Sequence, residues 1–198
     1  TQAMSSAASD VYKRQQQKDI FTAVFSEDGL SYSNETPLGF PVDQNEIAWG
    51  VPDAVLMPDG LVRVYWVYTE DKTSDEKLVS ATSKTTKGVE FVMDPGYRLE
   101  NGYVDFEVIR AVEGDWKALM SYTPHYMPEI PQSLFYATSK DGLNWDLIEE
   151  RITPKGYSYF DPTAIQIDDK NFLVVGSAAP NTMGAREHIL FAAELVLP

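Results

Sequence analysis

The stretch Val104–Arg151, VDFEVIRAVEGDWKALMSYTPHYMPEIPQSLFYATSKDGLNWDLIEER, decides the fold. Phe106–Ala111 is an apolar run centred on Val and Ile, residues that favour strands. Glu113-Gly114-Asp115 is turn chemistry, and Trp116–Tyr122 reads as a second strand. A longer loop, Thr123–Pro131, leads to a third strand over Gln132–Ser139. Lys140-Asp141-Gly142 then turns the chain into a fourth, Trp145–Arg151. Asp-Gly between two apolar runs is a strong hairpin signal. Four antiparallel strands joined in chain order are therefore predicted.

The same passage recurs on both sides. Upstream lie strands Asp53–Met57, Leu61–Tyr68, Lys77–Ser83 and Glu90–Met93, with the turn Pro58-Asp59-Gly60 and the polar loop Thr69–Glu76. Downstream lie Pro162–Asp168, Asn171–Ser177 and Glu187–Val196, with the turn Asp168-Asp169-Lys170 and the loop Ala178–Arg186. Asp19–Phe25 and Ser31–Asn34 read as the last two strands of a further unit. The opening residues Asp53, Asp105 and Asp161 are 52 and 56 residues apart, and Ala81, Ala137 and Ala192 of the later strands are 56 and 55 apart. A β-rich repeat of this length points to the blades of a β-propeller. No 3.6-residue apolar period persists for three turns, so helices are not expected. A β-sandwich would suit the strand content but not the repeat. The strands group as 2, 4, 4 and 3, whereas a closed ring of four or five blades needs ~16 or ~20. An incomplete arc of about three to four blades is expected, with full blades over 50–102 and 103–159 and partial blades over 19–49 and 160–198.

Residues 1–15 stand apart. Asp10-Val11-Tyr12-Lys13-Arg14-Gln15 reads as the translation of a transposon-end sequencing adapter, preceded by Ser5-Ser6-Ala7-Ala8-Ser9, a pattern of metagenomic assemblies. The expectation is a non-native tail over 1–15 and propeller from 16 to 198, with the gene's own start and any export signal missing; the compartment stays unassigned. The chain has 198 residues, 43% of them hydrophobic, enough for a real core. A net charge of −14 argues against nucleic acid and anionic membrane as partners. The absence of Cys excludes disulfides, thiol catalysis and thiolate metal sites.

Propeller geometry brings the openings of the first strands to one mouth of the central channel. Asp53, Asp105 and Asp161 are therefore expected to share a pocket, with Trp49, Tyr103, Tyr157, Tyr159 and Phe160 as aromatic walls. His125 lies in a rim loop, Pro124–Pro128. Carboxylates framed by aromatics suit sugar chemistry. Glycoside cleavage needs one carboxylic acid to protonate the leaving oxygen and a second carboxylate to activate water or attack the sugar. A third can hold the acid protonated by like-charge repulsion. The competing reading is that each Asp only caps a turn. Two isolated His residues do not make a zinc site, and no metal or other cofactor is expected. The Asp cluster has the oxygen ligands Ca²⁺ takes, without an EF-hand loop. No phosphate-binding Gly loop or Ser nucleophile elbow occurs.

Phe160-Asp161-Pro162-Thr163, Val51–Gly60 and Ala137–Trp145 resemble the five-bladed propeller glycoside hydrolases of family 43, with relatives in families 32, 68 and 130, over roughly Ile20 to Val196. The resemblance implies a five-bladed fold and a protein that acts on or binds carbohydrate. It further implies that Asp53 is the general base and Asp105 the residue tuning the acid. Asp161 stands where that family carries a Glu acid, and Glu107, two residues after Asp105, is the nearby substitute. Ser139–Trp145 and Ser26–Tyr32 also resemble the Asp-box turns of sialidases, which are structural. Of Arg63, Arg98, Arg110, Arg151 and Arg186, none opens a first strand beside the Asp positions, as a sialidase carboxylate site would require. A non-catalytic glycan-binding or structural propeller is the rival to the enzyme.

Overall fold

The computed structural model describes residues 21–25, 30, 33–38, 47–69, 75–122, 132–180 and 188–197. Among them the chain is all-β. Sheet one pairs β1 (Phe21–Phe25) with β2 (Ser33–Leu38). Sheet two runs β3 (Ile47–Leu56), β4 (Val62–Thr69), β5 (Lys77–Ser83), β6 (Phe91–Met93). Sheet three runs β7 (Tyr103–Val112), β8 (Asp115–Tyr122), β9 (Ser133–Ser139), β10 (Trp145–Ile148). Sheet four runs β11 (Tyr157–Gln166), β12 (Asn171–Pro180), β13 (Ile189–Val196). Every pair is antiparallel and neighbours follow chain order, the up-and-down order that short turns impose.

The first strands of sheets two, three and four, the inner strands, differ from expectation in where they start. β3 and β11 begin before their Asp residues rather than at them, because Ile47–Gly50 and Tyr157–Phe160 already pair with the second strands. Each inner strand then breaks its register in the same way. Gly50 faces Val67 but Asp53 faces Tyr65; Val104 faces Ser121 but Glu107 faces Leu119; Phe160 faces Ser177 but Thr163 faces Val175. Two residues oppose one, which is a β-bulge. Its first residue is left-handed each time: Val51 at φ 52°, Asp105 at 50° and Asp161 at 47°. Such φ values cost a non-glycine residue about 1–3 kcal/mol and persist only where the surroundings impose them.

The bulges define the true repeat register. Val51, Asp105 and Asp161 are equivalent; so are Pro52, Phe106 and Pro162; so are Asp53, Glu107 and Thr163. Asp53 is thus the counterpart of Glu107, two positions out of step with the Asp-to-Asp register read from the sequence. Pro at the second bulge position is tolerated because a bulged residue leaves the hydrogen-bond ladder.

Among the described residues two apolar interfaces join sheets two, three and four. Val55, Met57, Tyr65 and Leu78 of sheet two pack on Phe106, Trp116, Ala118, Met120 and Ala137 of sheet three. Ile109 and Leu119 of sheet three pack on Phe172 and Val174 of sheet four and on Leu197. At the end of sheet three away from Asp105, the β9–β10 turn braces the first interface. Asp141 Oδ1 accepts from the Leu143 and Asn144 amides at 2.8 and 2.9 Å. Gly142 O accepts from the Tyr65 hydroxyl at 2.7 Å, and Asp141 O from Arg63 Nη1 at 2.7 Å. Trp145 lies edge-on to Phe106 at 5.2 Å and to Tyr65 at 6.3 Å. The Asp141-Gly142 turn is thus an inter-sheet clasp.

Candidate functional site

The three bulges meet at an open cleft of about 180 Å³. Its lining is Val51, Pro52, Asp105, Phe106, Glu107, Asp161, Pro162 and Thr163. The left-handed bulge residues and the residues two positions on form two tiers, and each tier is stitched from sheet to sheet. In the first, Asp105 Oδ2 accepts from the Asp161 amide at 3.3 Å and from Gln132 Nε2 at 2.9 Å. In the second, Asp53 Oδ2 accepts from the Val108 amide at 2.8 Å, and the Thr163 hydroxyl donates to Glu107 Oε1 at 2.8 Å. The bulges explain why: an extra residue re-aims the following side chains out of the pleat and toward the next sheet.

Three of these carboxyls are harder to ionise than free ones. Burial pushes Asp53 up to about 7, aided by the Glu107 charge and opposed by the Val108 and Ala54 amides. Burial also raises Asp105, and the neighbouring Asp161 charge adds to it, against the amide of Asp161 and the side chains of Ser121 and Gln132. Glu107 is raised by burial and pulled back by the Thr163 hydroxyl. For Asp53 and Asp105 desolvation and like charge act in the same sense, the condition under which a carboxylic acid can hold its proton near neutrality.

Of the three Asp residues expected to share a pocket, Asp105 and Asp161 line the cleft, and Glu107 lines it with them. Asp53 does not line it; its carboxylate lies between β3 and β7, coupled by charge to Glu107. Tyr103 is no wall of the cleft. It packs inside sheet three, 4.6 Å from Tyr122 and 6.4 Å from Phe135. Phe160 also falls outside the lining, its ring 5.1 Å from His188. Trp49 is in β3, but its side chain, like the whole of His125, lies outside the described residues. Among the described residues no group of three or more His, Asp and Glu is placed to hold a metal ion, and no Arg lines the cleft. Arg63 and Arg98 are buried, and Arg110 is paired with Asp115 at 2.7 Å. Sequence reasoning missed Thr163 and Gln132. The signal for Thr163 was Pro162, which matches Pro52 and puts Thr163 level with Asp53.

Carboxyls with raised proton affinity beside an open cleft can donate a proton, take one up, or hydrogen-bond a polyhydroxylated ligand. Comparison with known proteins bears on the choice. No protein-family model matches the chain, and no curated protein matches it in sequence. Solved structures do match in three dimensions. A thermostable family-43 glycoside hydrolase aligns over 88% of this chain and 62% of its own, at TM-score 0.62 and 15% identity. A family 32 β-fructofuranosidase from Bombyx mori, in complex with sucrose, aligns over 87% and 39%, at TM-score 0.63 and 12% identity. A β-1,2-mannobiose phosphorylase from Listeria innocua aligns over 90% and 50%, at TM-score 0.60 and 16% identity. The chain spans about half the length of such structures. At these identities the likeness is one of fold: the chain shares the antiparallel, propeller-type scaffold of carbohydrate-active enzymes.

Proposed function

We propose that this chain handles carbohydrate at the cleft between the three bulged strands, and that it cleaves a glycosidic bond there by acid–base chemistry. The observation that carries this is the convergence of Asp105, Glu107 and Asp161 on one cleft, in a fold shared with glycosidases. Glu107 is the proton donor: it faces the cleft and its carboxyl is raised by burial. Asp161 is the second carboxylate, acting on water or on the sugar. Asp105, beside it, is the tuning residue. Asp53, off the cleft, moves from the role of base to that of a supporting carboxyl, whose own proton affinity the Glu107 charge raises. The same reading treats the four sheets as an arc of a five-bladed ring, supported by Ile165, which occupies the interface position of Val55 and Ile109 yet is 68% exposed.

The test is a panel of aryl glycosides and disaccharides, the latter with and without inorganic phosphate. The wild-type chain is compared with E107Q, D161N and D105N. Turnover by wild type, with a loss of about 10²–10⁴-fold in E107Q, supports the assignment. A second reading has its own observation in Thr163, a hydroxyl at the ring position where two carboxyls stand. On that reading the cleft binds glycan without cleaving it. Sugar binding by calorimetry without turnover selects it, and neither binding nor turnover ends both.

A further inference from the structure

The second tier contains one member that is not a carboxylate, and its contact is specific. Thr163 follows the bulge of β11 as Glu107 follows that of β7 and Asp53 that of β3. Asp53 spends one oxygen on the Val108 amide of the next sheet. Glu107 meets the next sheet differently: its Oε1 takes a hydroxyl, Thr163 Oγ1, at 2.8 Å. A hydroxyl donates to a carboxylate and can equally accept from a carboxylic acid, so the contact survives either protonation state. An amide can do only the first. Of the two sheet-to-sheet contacts in this tier, only that of Glu107 tolerates a proton coming and going.

We propose that Thr163 is a positioning residue for Glu107: it holds Oε1 in both protonation states and leaves Oε2 as the oxygen offered to a ligand in the cleft. The proposal rests on the carbohydrate reading of the cleft for its functional meaning, but the contact can be tested without it. The groups facing Glu107 are Asp53 from β3, Asp105 on its own strand, and Asp161 from β11. All are acidic, so among the described residues no cation competes with the Thr163 hydroxyl for the carboxylate. Removing the hydroxyl leaves burial unopposed and drives Glu107 further up.

The experiment follows the Glu107 carboxyl carbon by NMR through a pH titration, with E107Q assigning the signal. Wild type, T163V, T163A and T163S are compared. Thr163 is exposed, so Val and Ala are accommodated. The expected result is a midpoint raised by about one pH unit in both T163V and T163A and returned to within a few tenths by T163S. An unchanged midpoint in T163V and T163A, or a T163S that fails to restore it, overturns the proposal. Sugar binding and turnover on the same samples separate the two claims. A midpoint that responds in a protein that neither binds nor cleaves sugar upholds the contact and removes the carbohydrate reading. Turnover in which T163V shifts the basic limb of kcat/KM, the limb set by loss of the proton from the donor, while T163S does not, upholds both.

Discussion

Val55, Ile109 and Ile165 stand two residues beyond Asp53, Glu107 and Thr163 in three successive sheets, yet their surroundings are opposite. Val55 and Ile109 are each 8% exposed, sealed by the next sheet; Ile165 is 68% exposed. Around it Ile167, Leu190 and Val196 are also exposed, at 58%, 84% and 65%. The repeat thus writes the same apolar face each time, and only a neighbouring sheet turns that face into core. In a quasi-one-dimensional array of this kind stability is held in interfaces between units as much as within them.

That contrast can be broken from its strongest side. V55D places an unpaired charge between sheets two and three, and F106A empties the ring that Tyr65 and Trp145 pack on. Each is expected to destabilise by about 3–5 kcal/mol in denaturant unfolding. A loss under about 1 kcal/mol in both would show that this interface is not sealed. Next in size is the pH effect of the Asp53 carboxyl, which sits in the same interface. Its folded pKa lies above its ordinary value, 3.8 against about 7, so the folded state binds the extra proton. Stability is therefore fully favoured below about 4, falls as pH rises to about 7, and levels off beyond. D53N should flatten that slope; an unchanged slope would assign it to Asp105 and Glu107. Smaller again is G142A. Gly142 has φ +70°, and a Cβ there would lie 2.8 Å from Arg63 Nη1 and from the Trp116 ring. A loss of about 1–3 kcal/mol in thermal unfolding is expected. The smallest effect belongs to the open face. I165D should change stability by no more than about 0.5 kcal/mol, and light scattering should show less self-association. An I165D as costly as V55D would mean that this face is covered in solution.

The strand grouping was legible because its signals are local. Asp141-Gly142, Asp59-Gly60 and Asp168–Lys170 close their turns wherever they occur, and the Val, Ile and aromatic runs between them have strand composition. Asp105 and Asp161 were singled out for a similar reason, since each stands beside an apolar run that repeats; Glu107 was singled out only as a substitute for the Glu acid that the family resemblance implies. The repeat register was not. Matching Asp53 to Asp105 and Asp161 followed residue identity, whereas the backbone follows the bulge, and a bulge has no side-chain signature when Val, Asp and Asp all adopt it. Pro52 and Pro162 held the correct alignment, since neither can serve the ladder. Thr163 stayed unnoticed because a search for acids passes over a hydroxyl.

By itself the sequence determined that the chain is all-β, where its turns fall, which runs are apolar, and that acidic side chains stand near the start of each inner strand. Those features follow from φ/ψ preference and from the two-residue side-chain period, which act over a few residues. Only the tertiary structure decided which acids share the cleft, that Asp53 is set behind it, that Thr163 touches Glu107, and that Ile165 is exposed where Val55 is buried. Each of these depends on one sheet lying against another and on a single inserted residue that re-aims every side chain beyond it, and neither is encoded in the local spacing of residues.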